Sequence, residues 1–158
     1  MDDPSGQWLN SFPDSFTSLV SLNISCLGAE LSFSALERLV GQCPDLKTLQ
    51  LNHAVPVERL AKLIRQAPQL VELGTGEFSA KLQPEIFSNL AGAFSVCKEL
   101  RSLSGFWDVN PAYLPAVYPV CSGLTSLNLR YANIQSADLI KLVSQCPNLQ
   151  RLWVSFTF

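Results

Sequence analysis

A six-fold recurrence of leucines at fixed offsets constrains this chain more than any other feature of its sequence. Leu19, Leu22 and Ile24 form a first row of the pattern L-x-x-L-x-L, and Leu46, Leu49 and Leu51 form a second. Leu70 and Leu73 begin a third row, and Leu100 and Leu103 a fourth. Leu124, Leu127 and Leu129 make the fifth, and Leu149, Leu152 and Val154 the sixth. The first leucines are separated by 27, 24, 30, 24 and 25 residues. Leucine-rich repeats recur about every 20 to 29 residues, so the interval of 30 reads as a small insertion.

A second feature repeats in phase with the first. Gln42-Cys43-Pro44-Asp45-Leu46 and Gln145-Cys146-Pro147-Asn148-Leu149 precede two of the rows. Ala67-Pro68-Gln69-Leu70 keeps the proline, whereas Val96-Cys97 and Val120-Cys121 keep the cysteine. Four of the five cysteines therefore share one repeat position. A small buried residue at the end of each helix, with proline stopping the helix, accounts for this placement. A catalytic thiol would have to explain four equivalent copies. Between the rows, Leu36, Leu39, Val40 and Cys43 have the spacing of a one-sided helical face. The same spacing recurs at Leu60, Leu63, Ile64 and Ala67, and at Leu139, Leu142, Val143 and Cys146. Ser34 and Ser136 stand near helix starts as candidate caps.

Each unit is thus a short strand, a turn and a helix returning on the outside. The expected fold is an α/β leucine-rich-repeat solenoid of about six units. It is right-handed, with parallel strands on the concave side and helices on the convex side. No unit could fold alone, because its leucines are buried against its neighbours. Alternation along the strands places Val20, Ser21, Asn23, Lys47, Thr48, Gln50, Thr125, Ser126, Asn128, Gln150, Arg151 and Trp153 on the concave surface. Asn23, Lys47, Gln50, Asn128, Arg151 and Trp153 are the candidate interaction residues of that face. It reads equally as a protein-binding surface or as a solvated one.

Composition narrows the function classes. Hydrophobic residues make up 47% of the chain and charged residues 15%, which is too apolar for a disordered segment. Eleven basic and thirteen acidic side chains, without a basic run, give no footprint for nucleic acid. No stretch of about 18 apolar residues is present, so no membrane span is expected. Met1-Asp2-Asp3-Pro4-Ser5-Gly6 lacks the basic start and apolar stretch of a signal peptide. The odd cysteine count, with no C-x-x-C pair, argues for reduced thiols in a cytosolic or nuclear setting, and against a zinc site.

Other constellations have plain structural readings. Gly74-Thr75-Gly76 lacks the remaining residues of a phosphate loop and is expected to break the third strand locally. His53, the only histidine, follows a strand and reads as a turn residue. Phe106, Trp107, Tyr113 and Tyr118 are expected to pack on the insertion-bearing repeat, with an exposed anchor as the alternative. Asn23-Ile24-Ser25 is a glycosylation sequon only formally, because it lies inside an apolar row. The run Arg151 to Phe158 is an apolar strand that would present an open edge. An array without capping units is expected to be a piece of a longer solenoid.

Several runs resemble the plant auxin-receptor F-box proteins. They are Leu19 to Leu27, Phe33 to Val40, Ala67 to Gly76, Leu103 to Asp108, and Pro111-Ala112-Tyr113-Leu114-Pro115-Ala116-Val117-Tyr118. The resemblance covers roughly residues 2 to 154. It implies a non-catalytic, nuclear substrate-recognition subunit of an SCF-type ubiquitin ligase in auxin signalling. Such proteins use a Skp1-like adaptor, Aux/IAA repressors and auxin as partners, with inositol hexakisphosphate as a structural cofactor. This segment resembles the family's middle repeats. The F-box, the terminal repeats and the contacts for hormone, adaptor and cofactor are therefore expected outside it, and its own partners are the neighbouring repeats of a longer chain. The ending Ser155-Phe156-Thr157-Phe158 departs from the family pattern. The alternative is a stand-alone, truncated repeat module that binds another protein and no hormone.

Overall fold

The structure, a computed structural model, describes residues 7–27 and 31–155. The expectations placed on Met1 to Gly6 and on Phe156 to Phe158 lie outside the described residues. Six strands form one parallel sheet in chain order. They are β1 (Ser21–Asn23), β2 (Thr48–Gln50), β3 (Glu72–Gly74), β4 (Ser102–Ser104), β5 (Ser126–Leu129) and β6 (Arg151–Val154). The register follows the repeat: Leu22, Leu49, Leu73, Leu103, Leu127 and Leu152 stand on successive rungs. The chain is a leucine-rich-repeat solenoid of about six units; among the described residues each of the first five strands is followed by a helical segment.

One backbone device recurs at the head of every strand. The carbonyl of Val20 accepts from the N–H groups of both Lys47 and Thr48, at 2.7 and 3.2 Å. Lys47 accepts in the same way from Val71 and Glu72, Val71 from Arg101 and Ser102, Arg101 from Thr125 and Ser126, and Thr125 from Gln150 and Arg151. Two donors sharing one acceptor shift the chain by a residue, as a bulge does. Strict alternation therefore begins only at the strand proper. Val20, Lys47 and Gln150 stand exposed ahead of their strands instead of on the strand face.

The helices are α1 (Phe33–Gly41), α2 (Val57–Gln66), α3 (Pro84–Ser95), α4 (Tyr118–Cys121) and α5 (Ser136–Ser144). Leu36, Leu39, Val40 and Cys43 are all buried, as are Leu60, Leu63, Ile64 and Ala67. In α5 only Leu142 is fully buried, because this helix is packed by a neighbour on one side alone. The caps differ from those expected. Ser32, not Ser34, caps α1 by accepting from the Ala35 N–H, and Ser136 is the first residue of α5, behind Gln135. The fourth unit has no full α-helix. A 3-10 helix at Pro111–Val117 and the four-residue α4 replace it, because Pro115 and Pro119 lack the N–H that a continuous helix needs.

The extra residues of the third unit build a loop that the fourth unit covers. Phe78, in that loop, meets Phe106 and Tyr113 at ring-centroid distances of 5.0 and 6.3 Å. The Tyr113 hydroxyl donates to the Lys81 carbonyl at 2.9 Å and accepts from the Gln83 N–H at 3.1 Å. All three rings are fully buried, so the packing expected for Phe106 and Tyr113 is observed. Gly105 has φ +96, and a Cβ there would run into the Thr75 carbonyl. Only glycine serves at this position.

Candidate interaction surface

The motif leucines point into the core, so the outward positions of the strands are left to form a polar face. Asn23, Gln50, Asn128, Arg151 and Trp153 occupy such positions. Lys47 does not; it stands just before β2, on the carbonyl-sharing step. Gln50, Glu72, Ser104, Asn128, Arg151 and Trp153 border an open hollow of about 470 Å³. The Gln50 amide crosses β3 above Gly74. It donates to Glu72 Oε1 at 3.2 Å and accepts from Ser104 Oγ at 3.4 Å. A Cβ at residue 74 would collide with Gln50 Oε1. Gly74 therefore does not break the strand. It pairs in register with Gln50 and Ser104 and makes room for the amide. Asn23 lies farther along the sheet, and its Oδ1 accepts from the Ser25 N–H and hydroxyl at 3.0 and 2.6 Å.

A second hollow, of about 240 Å³, lies at the carboxyl ends of the strands. Its wall is an aromatic ledge. Trp107 stacks on Tyr131 with centroids 4.1 Å apart and an interplanar angle of 7°. The Arg130 guanidinium sits 5.9 Å from the Tyr131 centroid, and the His53 ring lies 5.8 Å from that of Trp107. His53 is a turn residue, as expected. Tyr131 is half exposed, whereas Trp107 and Tyr118 are partly buried. The aromatic cluster thus divides: Phe106 and Tyr113 are core, and Trp107 belongs to a surface ledge.

The ledge is held by backbone. The Trp107 N–H donates to the Gly76 carbonyl, and the Trp107 carbonyl accepts from the Phe78 N–H at 2.9 Å. Asp108 N–H donates to the Tyr131 carbonyl at 3.1 Å. Buried Thr75 ties this loop to the sheet: its hydroxyl donates to the Ser104 carbonyl and accepts from the Phe106 N–H at 2.7 Å. Phe106, Asp108 and Asn133 have φ of 54, 50 and 52, a conformation that side chains other than glycine tolerate at some cost. Sequence reasoning missed Arg130 and Tyr131. The available signal was an offset: His53, Glu77, Trp107 and Tyr131 each follow a strand leucine by four residues.

On the helix side, Glu37 is buried and paired with Lys62 Nζ at 3.0 Å, while its Oε1 has no hydrogen-bond partner. Cys43, Cys97, Cys121 and Cys146 are buried free thiols, and Cys26 is exposed. Burial pushes the Cys97 thiol up from 9.0 to about 11. Among the described residues, no three His, Cys, Asp or Glu side chains come together as a metal site, and no helix is long and apolar enough to cross a membrane. The strand face and the carboxyl ends of the strands each offer a hollow for docking.

No family model matches the chain. It is 58% identical over 154 residues, 98% of its length, to a transport inhibitor response 1-like protein of Oryza sativa subsp. japonica. It is likewise 58% identical over 154 residues to GRR1-like protein 1 of Arabidopsis thaliana. Identity to the F-box protein FBX14 of Arabidopsis thaliana is 43% over 148 residues. The chain spans about a quarter of the length of these curated relatives, 26%, 26% and 24% in turn.

Proposed function

We propose that this chain, which belongs to the family of the transport inhibitor response 1-like F-box proteins, is the central repeat scaffold of a substrate-recognition receptor of that family. In this reading the receptor is a non-catalytic subunit of an SCF-type ubiquitin ligase, acts in the nucleus and serves auxin signalling. The scaffold holds the repeats on either side at a fixed spacing and curvature. Its own segment carries no hormone or inositol hexakisphosphate contact, and the Skp1-like adaptor and Aux/IAA repressors engage other parts of the receptor. The observation that carries the proposal is the likeness to transport inhibitor response 1-like proteins along nearly the whole chain. The unbroken six-rung sheet supports it, because a continuous sheet transmits geometry between flanking units.

Titration calorimetry with auxin and inositol hexakisphosphate, and a pull-down with the Skp1-like adaptor, test the placement. The 158-residue chain is expected to bind none of the three. Polyphosphate needs several convergent cationic donors, and Lys47, Arg130 and Arg151 stand on three different units. Micromolar auxin binding by this chain would show that the segment is misplaced within the receptor. A second reading, a stand-alone repeat module with another protein partner, is favoured by the half-exposed Trp107–Tyr131 ledge. The full transcript separates the two: an upstream F-box and downstream repeats support the scaffold.

A further inference from the structure

The hollow beside the Trp107–Tyr131 ledge carries one sign of charge. Among the described residues that line it, Arg130 alone is charged. Other arginines are tied down by their own chain. Arg38 donates to Asp14 and to the Phe12 carbonyl, Arg65 to the Asn89 carbonyl, and Arg101 to the carbonyls of Lys98 and Leu100. Arg130 is exposed, and its guanidinium meets no carbonyl or carboxylate among the described residues; it stands 5.9 Å from the Tyr131 centroid. Asn128 adds to the same polarity. Its Oδ1 accepts from the Arg130 N–H at 3.2 Å, which leaves the Nδ2 as a donor without a partner among the described residues. Gln50 and Ser104 bond each other and are not free in this way. Glu77 and Asp108 belong to adjoining loops but do not line the hollow. What the hollow offers a partner is therefore hydrogen-bond donors, one of them cationic, beside an aromatic stack.

Size and shape narrow the partner. At about 240 Å³ the hollow is smaller than the roughly 300–1,000 Å³ of pockets that enclose small molecules. It is open instead towards the strand face, because Gln50, Ser104 and Asn128 line both this hollow and the one of about 470 Å³. The two make a trough that suits a length of extended chain. Alternate side chains of an extended chain share a face and stand about 6.6–6.8 Å apart. The guanidinium and the Tyr131 ring offer two contacts at a similar spacing, 5.9 Å.

We propose that this trough docks an extended segment of a protein partner in which an aspartate or glutamate stands two residues from an aromatic one. The carboxylate takes the Arg130 guanidinium and the Asn128 amide, and the aromatic side chain packs on the ledge. A charge-assisted hydrogen bond is roughly twice as strong as a neutral one, so the acidic residue fixes the register. The ring adds an offset or edge-to-face contact to the existing stack. The surface is built from this chain's own loops and serves equally in a receptor scaffold or in a stand-alone module.

The test titrates capped peptides into the isotope-labelled 158-residue chain and follows the Trp107 indole N–H by nuclear magnetic resonance. The peptides place Glu-Ser-Phe, Gln-Ser-Phe, Lys-Ser-Phe or Glu-Ser-Ser in a glycine-serine background. Glu-Ser-Phe should bind about tenfold tighter than Gln-Ser-Phe, with Lys-Ser-Phe weakest, since a bond to a charged group is at stake. Arg130→Gln should lower Glu-Ser-Phe to the level of Gln-Ser-Phe and leave Gln-Ser-Phe unchanged. Tyr131→Ala should weaken both of these peptides and leave Glu-Ser-Ser unchanged. Lys47→Gln, at the opposite end of the strands, should alter nothing. These results are separable from the hormone titration and the adaptor pull-down, either of which can fail while the peptides bind. No shift of the Trp107 signal at millimolar Glu-Ser-Phe, equal affinity for the Glu and Lys peptides, or an equal loss from Lys47→Gln and Arg130→Gln would overturn the proposal.

Discussion

Truncating the same motif leucine in two adjacent units measures how much of the stability comes from stacking. Leu127 on β5 is 0% exposed between Leu103 and Leu152, whereas Leu152 on β6 is 42% exposed. Full burial of a leucine contributes about 1.5–3 kcal/mol, and truncation to alanine in a closed core costs about 2–5 kcal/mol once the cavity is included. Leu127→Ala is therefore expected to cost about 3–4 kcal/mol. Leu152 has little more than half of its surface covered, and truncation there opens no closed cavity, so Leu152→Ala is expected to cost about 1–1.5 kcal/mol. Lys47→Ala, on the exposed step before β2, is expected to change stability by no more than about 0.5 kcal/mol. Leu127→Asp should exceed all of these, because it also buries an unpaired carboxylate. Equilibrium urea unfolding, followed by tryptophan fluorescence and far-ultraviolet circular dichroism, gives the differences. Equal costs for Leu127→Ala and Leu152→Ala would refute the argument that neighbouring units, rather than the single unit, supply the burial.

Gly105→Ala should destabilise by about 1–3 kcal/mol, since the residue is left-handed and a Cβ meets backbone. Gly74→Ala collides with the Gln50 side chain and comes within 3.1 Å of Ser104 Oγ, so pairing it with Gln50→Ala should recover most of its cost in thermal unfolding; no recovery would mean that Gln50 does not lie over β3. The raised Cys97 thiol is protonated in the fold between the ordinary 9.0 and about 11, whereas the unfolded chain has already lost that proton. Its contribution is thus fully present below pH 9 and is lost as pH rises towards 11; Cys97→Ala should flatten that part of the stability profile, and an unchanged profile would count against burial as the cause. A double-mutant cycle on Trp107→Ala and Tyr131→Ala should show coupling of about 0.5–1.5 kcal/mol; additive effects would mean that the rings do not stack in solution.

The six-rung register was legible in the sequence because one leucine position carries it. A slip of one residue would turn Leu49 or Leu127 out to solvent, so the pattern specifies both pairing and facing. The first two helical faces were legible for the same reason, as Leu36, Leu39 and Val40 all prove buried. What could not be read depended on backbone chemistry between units. Lys47 looked like a strand-face residue because every non-leucine position of its row was placed on that face, whereas the shared Val20 carbonyl sets it one step ahead of the strand. Ser34 looked like a cap by composition, but Ser32 holds the extended conformation that a cap needs. Gly74 looked like a break, yet its missing side chain is filled by Gln50 from the neighbouring strand.

The same division explains why the candidate surface was hardest to foresee. Core positions are restricted to a few residue types by burial, so sequence alone exposes them. The ledge residues Trp107, Arg130 and Tyr131 lie in loops, where no periodicity selects a residue type. Their geometry comes instead from bonds among loops three units wide: Gly76 to Trp107, Phe78 to Trp107, and Asp108 to Tyr131. Among the described residues, the left-handed ones other than glycine, Phe106, Asp108 and Asn133, lie in the same two loops. Such conformations persist only where the surroundings over-determine them, and here buried Thr75 anchors the first loop to the sheet. Stacking Trp107 on Tyr131 therefore requires no further ordering when a partner arrives, which lowers the entropic cost of using the ledge as a contact. A surface prepared in this way differs physically from the solvated face beside Lys47, whose long side chain would have to be immobilised on binding.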